Sequence, residues 1–175
     1  MALIRVGDKL IDRNRIDRAI DRILDERRKG RSQQEVAEKF KIDRSFISRL
    51  ENLGEVRKGG TIAVIGFPIG NKEELHQVCQ EEGVDFTLLL TEKERWAYVE
   101  ERSGIELVNE IMQLIRRVRT YDTVIVLGSD KRVEMIQALL DTDVVSEPIG
   151  HSPLRQDVYY EPEKLRALIR ALQGR

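Results

Sequence analysis

"TIAVIGF", Thr61 to Phe67, decides how the longer part of this chain folds. A strand with one wet face alternates apolar and polar residues. A near-continuous run rich in β-branched side chains is what a strand buried on both faces requires. "TVIVLGS" (123–129) repeats the pattern, "VDFTLLL" (84–90) is a third run and "TDVVSEP" (142–148) a weaker fourth.

Helical stretches separate these runs. Asn71 with Glu74, Thr91 with Glu94 and Ser103 with Glu106 have the spacing of capping boxes, in which two side chains satisfy the free N–H groups of a first helical turn. Val108, Ile111, Met112, Ile115 and Val118 recur at helical spacing and predict a core-facing stripe. Val133, Ile136, Leu139 and Leu140 follow Asp130, the expected cap of the next helix. Leu165, Leu168, Ile169 and Leu172 follow Pro162 in the last one. Strands alternating with helices predict a Rossmann-like three-layer α/β domain around a parallel sheet of about four strands.

Upstream, "GEVRKGG" (54–60) is short, basic and holds three glycines, the composition of a linker. It divides the chain into expected domains 1–58 and 59–175. Residues 1–60 carry 16 Lys/Arg against 11 Asp/Glu, whereas residues 61–175 carry 14 against 20. A basic front on an acidic back predicts that the front alone meets a polyanion.

The front opens with "LIRVGDKLI" (3–11), either a hairpin turning at Gly7-Asp8 or a plain terminal extension. Helices are expected near 14–29, 33–40 and 44–53. Ile16, Ala19, Ile20, Ile23 and Leu24 form the inner stripe of the first. Ser32 with Glu35 starts the second, and Asp43 is the expected cap of the third.

The second and third helices have the parts of a DNA-reading pair. Ala37 is small enough for a close helix crossing, and Val36, Ile42, Ile47 and Leu50 fill the angle. On the outer face Arg44, Ser48 and Asn52 follow at i, i+4 and i+8, with Ser45 and Arg49 on the adjacent row. All five donate hydrogen bonds and none is acidic. Arg suits guanine, Asn suits adenine, and Ser suits either a base or a phosphate. Gln33 stands at a helix N-terminus, where side chain and free N–H groups meet phosphate. The same face on a protein-binding helical domain is the alternative.

Residues 31–51 resemble the helix-turn-helix of the Cro/CI (XRE-like) repressors. That family usually reads Thr-Gln-x-x-Leu-Ala, then Gly-Val-Ser, then Ile-Ser-Arg-Ile-Glu. Here the corresponding residues are Ser32-Gln33, Val36-Ala37, Lys41-Ile42-Asp43 and Ile47-Ser48-Arg49-Leu50-Glu51. The resemblance implies that Gln33, Arg44, Ser45 and Ser48 face DNA, with Arg49 supporting. Lys41 replaces the usual turn glycine, where a side chain costs about 1 kcal/mol, and it stands within reach of a phosphate. The family continues with further helices where this chain enters a strand. The family's dimer contacts therefore do not carry over.

In the second domain "GFPIGN" (66–71) follows the first strand and "EPIGHS" (147–152) the last. Loops at strand C-termini line the ligand crevice of parallel sheets. Gly66, Pro68, Gly70, Asn71, Ser129, Asp130, Glu147, His151 and Ser152 are therefore candidate ligand contacts. A small anionic effector, taken up on backbone N–H groups, is the expected ligand class, and tight turns that needed Gly are the bland alternative. The spacing is neither a dinucleotide fingerprint nor a P-loop, and no cofactor can be named from it. Cys79 is the single cysteine and His76 and His151 the only histidines, which excludes intramolecular disulfides and argues against a His- or Cys-built metal site. Trp96, near Arg95, Tyr98 and Arg102, is expected in the core, with the lining of a pocket or an interface as the alternative.

The expected function is a sequence-specific transcriptional regulator, not an enzyme. It would bind double-stranded DNA as a homodimer held by its α/β half, which would also sense the effector. The alternative is a DNA-tethered assembly protein whose α/β half binds a protein. No run is long and apolar enough to span a bilayer and the start lacks a signal-peptide core, so the expected setting is cytoplasmic.

Overall fold

The computed structural model of the chain describes residues 3–55 and 59–174. The chain divides into two compact units, Met1–Glu55 and Val56–Arg175. It is a mixed α/β protein, with eight helices and a four-stranded parallel sheet among the described residues.

The first unit begins with an antiparallel hairpin, β1 (Leu3–Val6) on β2 (Lys9–Asp12), turning at Gly7 with φ 60°. Three helices follow: α1 (Arg13–Arg28), α2 (Gln33–Phe40) and α3 (Arg44–Gly54). Val36, Ala37 and Ile47 pack with Ile23 into one buried cluster, flanked by Phe40, Ile42 and Leu50. The predicted stripe of α1 is wider than this core. Ile23 is buried, but Ile16 and Leu24 stay exposed, because two short helices cover only part of a sixteen-residue one. Leu53, three residues after Leu50 on α3, is 87% exposed.

The second unit runs β3 (Ile62–Gly66), α4 (Lys72–Glu81), β4 (Phe86–Leu89), α5 (Glu92–Glu100), α6 (Gly104–Val118), β5 (Thr123–Ser129), α7 (Asp130–Leu139), β6 (Asp143–Gly150) and α8 (Pro162–Gln173). The sheet order is β4-β3-β5-β6, every pair parallel. Successive side chains of a strand point to opposite faces. Ile62 and Val64 accordingly join Leu75, Val78 and Cys79 of α4 and Leu165, Ile169 and Leu172 of α8 on one side. Ala63 and Ile65 join Val118 of α6 with Val133 and the following Leu140 on the other. Each Val, Leu or Ile among them, fully buried, contributes roughly 1.5–3 kcal/mol.

The two faces are not covered equally. Glu82, at the end of α4, is buried and ties that helix to α8. Arg170 approaches both its oxygens (Nε–Oε2 3.0 Å, Nη2–Oε1 2.8 Å) and Arg166 adds Nη1–Oε1 at 2.7 Å. These guanidinia hold its carboxyl down at about 2. On the opposite face α6 buries only Val118 completely. Val108, Met112 and Ile111, predicted for the core, are exposed, the first two by 59% and 62%. The helix meets the sheet through Leu114, Ile115 and Val118 instead, which turns the rest of its apolar stripe outward. Trp96 is 51% exposed on α5 rather than in the core.

Candidate functional site

The outer face of α3 carries the first candidate site. α2 starts on a complete capping box: Ser32 N donates to Glu35 Oε2 at 2.7 Å, and Glu35 N donates to Ser32 Oγ at 3.2 Å. Lys41 ends it in the left-handed conformation (φ 55°, ψ 48°) that turns the chain into α3. Among the described residues, Lys41 is the only non-glycine with a positive φ. Asp43 stands at the N-cap of α3 but makes no side-chain cap bond.

Arg44, Ser45, Arg49, Asn52 and Lys41 are exposed, and Ser48 is half-buried. Arg44, Ser45 and Ser48 line a shallow depression. Among the described residues the side chains of Lys41, Ser45, Ser48, Arg49 and Asn52 make no hydrogen bond or ion pair, leaving their donors outward. Arg44 has one long contact, from Nε to Gln33 Oε1 at 3.5 Å. Gln33 in turn donates Nε2–H to Glu51 Oε2 at 2.7 Å, and the other oxygen of Glu51 takes Arg27 Nε at 2.5 Å. Arg27 and Gln33 together lower the pKa of Glu51.

Glu51 is thus a strut that the sequence pattern marked only as the last position of the matched motif. Glu26 was missed altogether. It is buried and gathers Lys29 (2.9 Å), Arg31 (2.6 Å) and Lys39 (2.7 Å), which hold its carboxyl at about 2. The available signal was an acid three residues after Ile23 on the inner face of α1. Glu26 absorbs three cations on the inner side, while the α3 face keeps its own.

The second group of predicted residues lies at the C-terminal ends of β3, β5 and β6. The structure ties these loops to one another. Gly70 N donates to Val158 O at 2.9 Å, Val158 N to Pro68 O at 3.1 Å, and Ile69 N to Leu90 O at 2.9 Å. The Gly70 N–H that sequence reading offers to an anion is therefore already used. Asn71 is buried, and instead of capping α4 it clamps Tyr160: Nδ2 donates to Tyr160 O at 2.9 Å and Oδ1 accepts Tyr160 N at 3.0 Å. Gly66 is set by packing, since a Cβ there would stand 2.8 Å from Leu89 Cδ2 and 3.2 Å from Leu127 Cβ.

A further latch joins β5 to β6. Ser129, not Asp130, is the N-cap of α7. Asp130 accepts the N–H groups of Lys131 (2.8 Å) and Ser152 (2.9 Å) and stands 3.1 Å from His151 Nδ1. The His151 contact and these two N–H groups hold its carboxyl far below the usual carboxylate range. Ser152 Oγ donates to Ser129 Oγ at 2.7 Å. Glu147 takes Tyr160 Oη at 3.3 Å and pairs with Lys164. Gly66, Pro68, Gly70 and Asn71 thus form one closed turn, Ser129, Asp130, His151 and Ser152 form the latch, and Glu147 is outside the latch but linked to Asn71 through Tyr160.

No helix among the described residues is long and apolar enough to cross a membrane. Compared with protein-family models, with curated proteins and with solved structures, the chain matches none.

Proposed function

We propose that the chain is a sequence-specific DNA-binding transcriptional regulator. In this reading the first unit is a trihelical helix-turn-helix, and the second is a Rossmann-like α/β half that holds two copies together and senses an effector. One observation carries it. The outer face of α3 aligns Arg44, Ser45, Ser48, Arg49 and Asn52 with their donors outward, and Gln33 is braced beside Arg44 by Glu51. A recognition helix must offer such a row to base edges, with the preceding helix on the phosphates. Its sequence resemblance to the Cro/CI helix-turn-helix and the basic balance of residues 1–60 point the same way.

A single unit of this size makes few phosphate contacts, and two-fold dimers read paired half-sites. The exposed ridge of α6 suits a second copy. Ile105, Val108 and Met112 form its exposed apolar ridge, and in this reading a second copy of the chain covers them.

The deciding experiment selects sites from a random DNA pool with the full chain at about 150 mM salt. An enriched inverted repeat of fixed spacing supports the reading. Binding without sequence preference, abolished by modest salt, overturns it.

A further inference from the structure

α6 carries two apolar stripes. Leu107, Ile111, Leu114 and Val118 share one face, and Ile105, Val108 and Met112 lie about a third of a turn round the helix. The second stripe is the exposed ridge. The first turns towards the sheet, yet only Val118, at its C-terminal end, is fully buried there. Towards the N-terminus of the helix, α5 and α6 stand off Phe67 and leave a cleft of about 330 Å³. Its walls are almost wholly apolar and include Leu88, Leu107, Ile111 and Leu114. A second cleft of about 300 Å³ shares Phe67, Leu88, Ile111 and Leu114 with it and runs on to Met135 and Leu139 of α7. Packed interiors leave few voids larger than a water molecule, and these volumes fall at the lower end of the range for small-molecule sites.

Two polar side chains stand on the wall of the first cleft, Arg95 and Tyr98 of α5. Both are already engaged. Arg95 is forked onto Glu92, by Nη2–Oε1 at 2.6 Å and Nε–Oε2 at 3.0 Å. Tyr98 donates its Oη–H to Glu110 Oε2 at 2.6 Å, and Arg102 Nε donates to the same oxygen at 2.7 Å. Each cation here is matched by a carboxylate. A charged ligand would give up its water in this cleft and find no partner. An apolar one gains by leaving water.

The size of the occupant follows from the walls. α5, α6 and the ends of β3 and β4 bound the cleft on three sides. One turn of a helix, about 10 Å wide and about 5.4 Å long, encloses roughly 400 Å³ and is already too large. A second copy seated on the ridge covers a different face of α6 from the one that lines the cleft. A dry cavity of about 150 Å³ walled by Leu, Ile and Phe takes up one benzene, so this cleft suits about two rings.

We propose that the cleft binds a small neutral apolar molecule of about two fused rings, held between Phe67 and Leu88 on the sheet side and Leu107, Ile111 and Leu114 on α6. The inference rests on the effector-sensing part of the proposed function and places that site under α6 instead of at the glycine turn. Selection is by size and by the absence of charge. The helix that walls the cleft also carries the ridge, so filling the cleft bears on the face offered to a second copy.

The probe is naphthalene. Naphthalene-2,6-dicarboxylate is its charged match, with a carboxylate at each end so that one must enter the cleft. With the full chain and no DNA, naphthalene should shift the methyl NMR signals of Leu107, Ile111 and Leu114 saturably and raise Tm. The dicarboxylate should bind at least about tenfold more weakly. Val99→Phe, at a lining position of α5 that is partly exposed, narrows the cleft and should weaken naphthalene by about tenfold or more. Leu107→Phe narrows it from α6 and should do the same, while Val108→Glu on the ridge should leave naphthalene binding unchanged. Absence of a saturable shift with the wild-type chain overturns the proposal. So does equal binding of the two probes, or naphthalene binding that survives both narrowing changes in chains that melt like wild type. Because DNA is absent, failure here leaves the DNA reading standing, and failure of the DNA selection leaves this binding result standing.

Discussion

Gln33 and Glu51, eighteen residues apart, are joined by a 2.7 Å hydrogen bond across the angle between α2 and α3. The bond fixes which way the Gln33 amide points, and its oxygen is then left for Arg44. Glu51→Ala removes the brace while leaving the buried cluster of Val36, Ala37 and Ile47 intact. Affinity for a selected DNA site should fall roughly tenfold with little change in the melting of the first unit. Arg44→Ala should cost ~1–3 kcal/mol and blur one base position, whereas loss of Glu51 should weaken all sites. Titration of both variants against the selected site and its point variants separates the two effects.

Lys41 bears a side chain in a left-handed turn, so Lys41→Gly should stabilise the first unit by up to ~1 kcal/mol. The same change removes a cation beside the reading face. DNA binding should weaken about equally for all sequences, and the slope of log affinity against log salt should shrink by about one. Thermal melting and a salt series check the opposite signs. A variant that is both more stable and equally tight would remove Lys41 from the interface.

The link between α4 and α8 predicts an acid sensitivity. The pKa of Glu82 drops from its ordinary 4.5 to about 2 through hydrogen bonds from Arg170 and then Arg166. A carboxylate with a depressed folded pKa contributes stability above its unfolded pKa and loses it as the pH falls. The contribution should be whole above pH 4.5 and fade towards pH 2. Glu82→Gln should lower Tm at neutral pH and flatten its fall across that window. Glu73→Gln, on an exposed residue with only a 3.9 Å contact to Lys72, should do neither. Melting curves from pH 7 to pH 2 decide it, and parallel curves for Glu82→Gln and wild type would refute the assignment.

Val108 lies on the exposed apolar ridge of α6 offered to a second copy. Val108→Glu adds a charge to an exposed position and should leave the monomer folded while shifting sedimentation from dimer to monomer. A wild-type chain that sediments as a monomer at micromolar concentration would remove this face from the reading.

Much of this architecture is local and therefore legible in the sequence. Near-continuous apolar runs define β3 and β5 because a strand buried on both faces has no polar alternation. Ser32-Glu35, Thr91-Glu94 and Ser103-Glu106 form the capping boxes that their three-residue spacing predicts, since all their atoms belong to one helical turn. Tertiary partners decided the rest. Asn71 left its expected cap for the backbone of Tyr160, eighty-nine residues away, and Asp130 took up Ser152 and His151 from the next strand end. Periodicity showed which side of α6 is apolar but not how far the helix would stand from the sheet. Leaving Val108 and Met112 outside and a cleft beneath is a result of how α5, α6 and the Phe67 loop share one sheet face. Spacing along a chain determines which residues share a turn or a face. Which residues from distant segments meet, and which donor is left without a partner, depends on how the elements pack.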